Sequence, residues 1–145
     1  MSGKLKVVCP SCHTTNSIPA GRLGEGPRCG KCKSDIFNAH PVELNQRSFQ
    51  KHVDDNDIPL LVDFWAPWCG PCRAMAPAFE QAAGELEPDV RLAKLNTDEE
   101  QAVGAGLGIR SIPTLILFRD GREIARQSGA LMAGDIVRWV RSQLG

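Results

Sequence analysis

All six cysteines of the chain occur in Cys-x-x-Cys pairs, in which two residues separate the cysteines. Each pair restricts the structure that its segment can form. The pairs are Cys9/Cys12, Cys29/Cys32 and Cys69/Cys72. The first two lie within residues 1–40, where large apolar residues are few, so this segment needs a cross-link or a metal in order to fold. The third follows the apolar run LLVDFWAP. One spacing therefore occurs in two different settings.

The two outer pairs have the spacing of a structural zinc site. Sixteen residues separate Cys12 from Cys29, within the C-x2-C-x15–20-C-x2-C pattern of such sites. Four thiolates complete a tetrahedral shell and leave no open catalytic position. We therefore predict one zinc ion, which contributes most of the folding free energy of this segment. Two further redox dithiols are the alternative, and His13 or His40 could replace a cysteine ligand.

Composition divides the chain near residue 40. Residues 1–42 carry a formal charge of +4 and the remainder −4, which predicts a zinc ribbon over residues 1–40 and a larger domain over residues 41–145. A basic unit raises the question of nucleic-acid binding. Four zinc-bound thiolates offset about two of those charges, and Phe37 is the only aromatic residue there. Nucleic-acid binding is therefore not favoured.

The larger segment alternates strand and helix patterns. A continuous apolar run at 58–66 predicts a strand buried on both faces, and residues 70–87 predict a helix that Pro77 should kink. Ser48 is the predicted N-cap of an earlier helix, which ends at Asn56-Asp57. Further strands are predicted at 90–96, 114–118 and 123–128, with a turn at 120–121, and helices at 98–106 and 134–144. This order predicts an α/β fold with a mixed sheet.

The central cysteine pair is predicted to lie where the buried strand ends and the next helix begins. Amide groups of a first helical turn lack intrahelical partners, and the helix dipole favours a thiolate there. Because only the thiolate is a nucleophile, we expect Cys69 to attack and Cys72 to resolve the mixed disulfide. Pro71 fixes the turn and Gly70 leaves the approach open. The alternative, a pair of metal ligands or inert core cysteines, is less favoured because the outer pairs already complete a zinc site.

Asp63 is the only charged residue of the run IPLLVDFWAPW. Its apolar neighbours predict burial, which would raise its pKa and make it a candidate proton acceptor for Cys72. A strand residue that faces the surface is the alternative. Lys94, in the next predicted strand, would by itself be interpreted as a solvated lysine.

Motifs spread over residues 43–145 resemble those of the thioredoxin family. They are VDFWAPWCGPC, Pro77, KLNTDE at 94–99, GIRSIPTLILF at 108–118, DG at 120–121 and SGA at 128–130. The resemblance implies the thioredoxin fold, a mixed central sheet flanked by helices. The N-terminal CPSC and RCGKCK segments, together with the length, are similar to the thioredoxin 2 branch, which carries an N-terminal four-cysteine zinc ribbon. In that branch the ribbon is thought to tune the redox domain or to respond to oxidation.

The resemblance also implies roles for individual residues. Asp63 and Lys94 match a buried aspartate that accepts the proton of the resolving cysteine and the lysine near it. The Ile112-Pro113 bond is implied to be cis, which leaves the Ile112 backbone free to pair with an extended substrate. A mostly apolar docking surface is implied for Trp68, Gly70, Pro71, Ile112, Pro113, Gly129 and Ala130.

The activity implied by the resemblance is the reduction of protein disulfides by dithiol exchange. A thioredoxin reductase that uses NADPH would recycle the dithiol, and no bound organic cofactor is expected. The stretch MSGKLKVVCP lacks the pattern of a signal peptide, and residues 58–68 are too few to span a bilayer. We therefore expect a cytoplasmic monomer that acts on disulfide-containing proteins without a membrane. A zinc-centred sensor module is the alternative function.

Overall fold

The structure is a computed structural model that describes residues 3–145. Its strands are β1 Lys4–Val8, β2 Thr15–Pro19, β3 Val42–Leu44, β4 Leu60–Trp65, β5 Arg91–Asn96, β6 Thr114–Arg119 and β7 Arg122–Ser128. Its helices are α1 Gln46–Asp55, α2 Gly70–Leu86, α3 Gln101–Gly106 and α4 Ala133–Leu144, with a short 3-10 turn at Ala20–Arg22. Among these residues, no helix combines the length and the apolar character needed to cross a membrane.

Five strands form a mixed sheet in the order β3-β5-β4-β6-β7. Strands β3, β5 and β4 run parallel to one another, β6 runs antiparallel to β4, and β7 runs antiparallel to β6. Helices α2 and α4 cover one face, where Leu61 and Leu92 contribute to the core, and α1 covers the other, where Phe49 and Val62 pack. Strand β4 lies in the middle of the sheet and is covered on both sides, which confirms the prediction of a strand buried on both faces.

Helix α1 begins earlier than predicted. Asn45, not Ser48, is its N-cap: the Asn45 side chain accepts hydrogen bonds from the amides of Arg47 and Ser48. The Ser48 hydroxyl in turn accepts one from the Asn45 amide at 3.0 Å. This reciprocal capping box satisfies amide groups that the first turn leaves without partners, so the expectation for Ser48 was wrong by three positions.

Two other differences concern short elements. The acidic stretch at 98–100 precedes α3 and does not form its first turn, because the Asn96 side chain accepts hydrogen bonds from the amides of Asp98 and Glu99. Strands β1 and β2, which form a separate two-stranded antiparallel sheet, and the three-residue β3 were not predicted. Pro77 lies within α2, and the helix continues through it.

The two-stranded sheet packs where β4 and β5 begin. Ile58, just before β4, belongs to a cluster with Val7, Ile18 and Ile36. The Asp57 amide donates to the Lys6 carbonyl at 2.8 Å. Residue 69 follows the opposite, carboxyl end of β4, and a six-residue strand spans about 20 Å. The N-terminal sheet and the central cysteine pair therefore lie at opposite ends of the molecule.

Candidate active site and metal centre

Cys69 is the N-cap residue of α2, and its sulfur accepts a hydrogen bond from the Cys72 amide at 3.2 Å. The two cysteines form a disulfide with their Cα atoms 5.2 Å apart. Gly70 and Pro71 form the exposed first turn of the helix. An N-terminal helix turn stabilises a thiolate through its free amides and its dipole. In the reduced form this geometry would favour the thiolate of Cys69.

The Ile112-Pro113 segment lies beside the disulfide. The bond between these residues is cis, as the resemblance implied, and the Ile112 carbonyl oxygen is 3.7 Å from the Cys69 sulfur. The Gly129 amide donates to the Pro113 carbonyl at 2.9 Å, so the exposed Gly129 and Ala130 flank the same segment. Although residues 69, 112 and 129 are distant in sequence, the fold brings them together.

Asp63 is buried in the sheet beneath α2, with 1% of its surface exposed. Burial raises the pKa of Asp63 to about 7, the positive charge of Lys94 opposes that rise, and Glu43 adds to it. Its Oδ1 atom has no hydrogen-bond partner among the described residues. The neutral form of this carboxyl group is therefore populated near neutral pH. The burial of Asp63 excludes its interpretation as a surface residue.

Lys94 lies next to Asp63 in the sheet, because the two residues are paired in the register of β4 and β5. Its ammonium nitrogen is 4.4 Å from the centre of the Trp65 ring, within the range of a cation–π interaction. Lys94 is half-buried. The Lys94 side chain is therefore partly buried and lies over an aromatic ring.

Trp68 projects from the loop before α2 with 67% of its surface exposed. Its indole nitrogen donates to a carboxylate oxygen of Asp98 at 2.8 Å, which fixes one edge of the ring. A groove of about 360 Å³ runs between Trp68 and Ile112 and includes Arg110 in its lining. Asp98 and Arg110 were not predicted from the sequence. No local pattern links Asp98 to Trp68, which lies thirty positions earlier.

The four N-terminal cysteines converge on one point, and their sulfur atoms all lie within 4.8 Å of one another. The Cys9–Cys32 and Cys12–Cys29 sulfur pairs are both 3.6 Å apart. A tetrahedral zinc ion with zinc–sulfur bonds of about 2.3 Å places its ligands roughly 3.8 Å from each other. The cluster therefore fits zinc with four cysteine ligands.

Both cysteine pairs are held by the same backbone arrangement. The His13 amide donates to the Cys9 carbonyl, and the Lys33 amide donates to the Cys29 carbonyl, each at 3.0 Å. His13 and Lys33 both have a positive φ, of 62° and 68°. His13 contacts His52 at 3.0 Å, and His40 pairs with Glu80. Neither His13 nor His40 belongs to the cysteine cluster, so the alternative with histidine ligands is not supported.

Arg91 joins the N-terminal sheet to the central one and was not singled out from the sequence. It is fully buried at the start of β5. Its guanidinium group donates to the carbonyls of Val8 at 3.2 Å and Ile36 at 2.8 Å, and to the Glu87 carboxylate at 2.8 Å. The guanidinium carbon also lies 4.9 Å from the centre of the Phe37 ring. An arginine is rarely buried fully unless it is paired, and here the ribbon carbonyls and the Glu87 carboxylate provide its partners.

Comparison with known proteins agrees with this geometry. The model of the thioredoxin family matches residues 40–142, and the model described as "Thioredoxin 2, N-terminal", a zinc ribbon, matches residues 8–34. The chain belongs to the thioredoxin family. It is 41% identical over 138 residues to thioredoxin C-3 of Corynebacterium nephridii, across 95% of this chain and 94% of that protein.

A second relative lacks part of this length. The chain is 41% identical over 103 residues to the thioredoxin of Haemophilus influenzae, across 71% of this chain and 96% of the relative. Among solved structures, a mutant thioredoxin from Halobacterium salinarum NRC-1 superposes with a TM-score of 0.66 at 32% identity, across 74% of this chain and 93% of that one. As a thioredoxin, the protein is a thiol-disulfide oxidoreductase, and the family in general acts on disulfides and is served by thioredoxin reductase.

Proposed function

We propose that the protein reduces disulfides of cytoplasmic proteins through Cys69 and Cys72. The observation that carries this proposal is the position of the Cys69 sulfur, at the start of α2 and 3.7 Å from the Ile112 carbonyl. The Cys69 thiolate attacks one sulfur of the substrate, and the second substrate sulfur leaves as a thiolate. Cys72 then attacks the Cys69 sulfur, which releases the substrate as a dithiol. Two electrons thereby pass from the dithiol to the substrate.

Asp63 accepts the proton of Cys72 in the second step. A base with a pKa of about 7 takes up a proton most effectively near neutral pH. Lys94 stabilises the charged form of that base before the transfer. Because α2 carries Cys72 and covers the sheet face on which Asp63 lies, the fold supports this assignment.

The substrate docks on the surface around Cys69. Its members are Trp68, Gly70, Pro71, Ile112, Pro113, Gly129 and Ala130, and the groove beside Trp68 extends it. An apolar surface with few charges suits many unfolded or extended disulfide segments. An NADPH-dependent thioredoxin reductase recycles the disulfide at the same surface, and the protein acts as a monomer without an organic cofactor.

Residues 1–40 form a ribbon that holds one structural zinc ion through Cys9, Cys12, Cys29 and Cys32, and residues 41–145 form the redox domain. The two matched ranges, 8–34 and 40–142, support this division. Since the ribbon packs where β4 and β5 begin, it lies away from the dithiol. We infer that zinc takes no part in disulfide exchange, and that oxidation of its ligands would act on the reaction only through release of the ribbon.

Trapping the mixed disulfide tests the assignment of the two sulfurs. The C72S variant should accumulate a covalent complex with a disulfide-containing protein such as insulin, whereas C69S should form none. D63N should slow the release of the substrate from the mixed disulfide more than it slows the formation of that mixed disulfide. Complexes of equal yield in C69S and C72S would overturn the order of attack. A reduction potential near about −120 mV, far above about −270 mV, would overturn the function as a reductase.

A further inference from the structure

A row of charged residues crosses the central sheet on the face that α2 covers. Glu43 on β3 is paired with Lys94 on β5, and Lys94 is paired with Asp63 on β4. Paired residues of neighbouring strands project from the same face, and neighbouring strands are about 4.8 Å apart. Lys94 therefore lies between two carboxylates, and the function proposed above uses only one of them.

The two carboxylates differ in their access to water. Asp63 is buried in the middle of the sheet, whereas Glu43 is exposed on β3, the edge strand. On the far side of Asp63 the row continues with the apolar Leu115 of β6. Helix α2, which carries Cys72, covers this face. Glu99, which follows β5, adds to the rise in the pKa of Glu43. Glu43 is thus the carboxylate that is paired across the sheet with Lys94 on the side away from Asp63.

We propose that Glu43 is a positioning residue for the dithiol reaction: it shares the charge of Lys94 with Asp63 and so keeps Asp63 able to accept the Cys72 proton. This inference rests on the role proposed for Asp63. Without a second carboxylate, the full charge of Lys94 would favour ionised Asp63, which would then be a weaker base. The direction of the electrostatic effect agrees, since Glu43 adds to the rise in the pKa of Asp63.

The variant Glu43→Gln removes the charge and preserves the shape of the side chain. Two charges separated by two strand spacings, roughly 10 Å, interact strongly enough to change a pKa by about 0.3 to 1. E43Q removes this direct repulsion and also leaves the whole charge of Lys94 to act on Asp63, so the pKa of Asp63 should fall by at least that amount. The pH at which resolution of the mixed disulfide is half-maximal should fall with it.

The test is a pH titration of the Asp63 carboxyl carbon by NMR in the reduced full-length protein. The matched control is E85Q, which removes an exposed carboxylate from α2 and should leave the Asp63 pKa unchanged. If Glu43 acts through Lys94, the effect of E43Q should be smaller in a K94Q background. An equal fall in both backgrounds would overturn the action through Lys94.

The outcomes separate this inference from the function on which it rests. An unchanged Asp63 pKa in E43Q, with a clear loss of pH dependence in D63N, would overturn the role of Glu43 and support that of Asp63. A pH profile of resolution that D63N leaves unaltered would overturn both. A fall in E43Q that is absent in E85Q and reduced in K94Q supports the inference.

Discussion

The buried Arg91 provides a quantitative test of how the ribbon is attached. In Arg91→Met the side chain keeps much of its length and loses the guanidinium group. Three hydrogen bonds disappear, those to Val8, Ile36 and Glu87. The Glu87 carboxylate, whose side chain is 5% exposed, then remains buried without a cation.

Removal of one partner of a buried ion pair costs about 3–5 kcal/mol, because the other charge is left uncompensated. This is a large part of the usual stability of a domain, about 5–15 kcal/mol. With a urea m-value of about 1.5 kcal/mol/M, the unfolding midpoint of the zinc-loaded protein should fall by roughly 2–3 M. Circular dichroism and tryptophan fluorescence would follow the transition.

Two further variants make this result specific. Arg119→Met removes an exposed arginine at the end of β6 and should change the stability by less than about 0.5 kcal/mol. The double variant R91M/E87M removes both charges and should recover at least about 1 kcal/mol relative to R91M. A loss below about 1 kcal/mol in R91M, or no recovery in the double variant, would refute the structural role of this ion pair.

Two other predictions concern the dithiol site. Because the pKa of folded Asp63 is about 7 and its ordinary value is 3.8, the folded protein holds a proton that the unfolded chain releases, and its stability falls as the pH rises from the lower value through the higher one. D63N should therefore be more stable than the wild type by about 4 kcal/mol at pH 8.5 and nearly equal to it at pH 4 in urea unfolding; equal stability of D63N and wild type at both pH values would contradict the burial of an ionisable group. D98A frees the Trp68 ring and should lower kcat/KM for insulin reduction by about threefold to tenfold. D89A, which removes an exposed carboxylate, is its control, and equal activity of D98A and wild type would show that Trp68 needs no anchor.

Features set by local sequence were predictable. The apolar run of β4 indicated a buried strand, and its single carboxylate indicated a buried Asp63, because each signal lies within a few residues. The position of Cys69 at the start of α2 followed from the boundary of the same two elements. The four outer cysteines indicated zinc because the spacing of ligands is itself local.

Features set by tertiary packing were not predictable. Arg91 is buried only because the ribbon covers it, and its partners Val8 and Ile36 lie more than fifty residues earlier. The row of Glu43, Lys94 and Asp63 depends on the register of three strands and on their order in the sheet, in which β5 separates β3 from β4. The prediction of the N-cap of α1 failed for a different reason. Asn45 and Ser48 are both good capping residues, and the reciprocal hydrogen bonds between them make Asn45 the N-cap.

Counting thiols and zinc on the native, reduced protein tests the division of labour among the cysteines most directly. A chromogenic disulfide reagent would titrate the thiols while a metal indicator reports released zinc. The expected result is one zinc per chain and two thiols that react rapidly, while the other four react only after a chelator is added. The double variant C69S/C72S should lack the two rapidly reacting thiols. Six thiols of equal reactivity and no bound zinc would contradict the account.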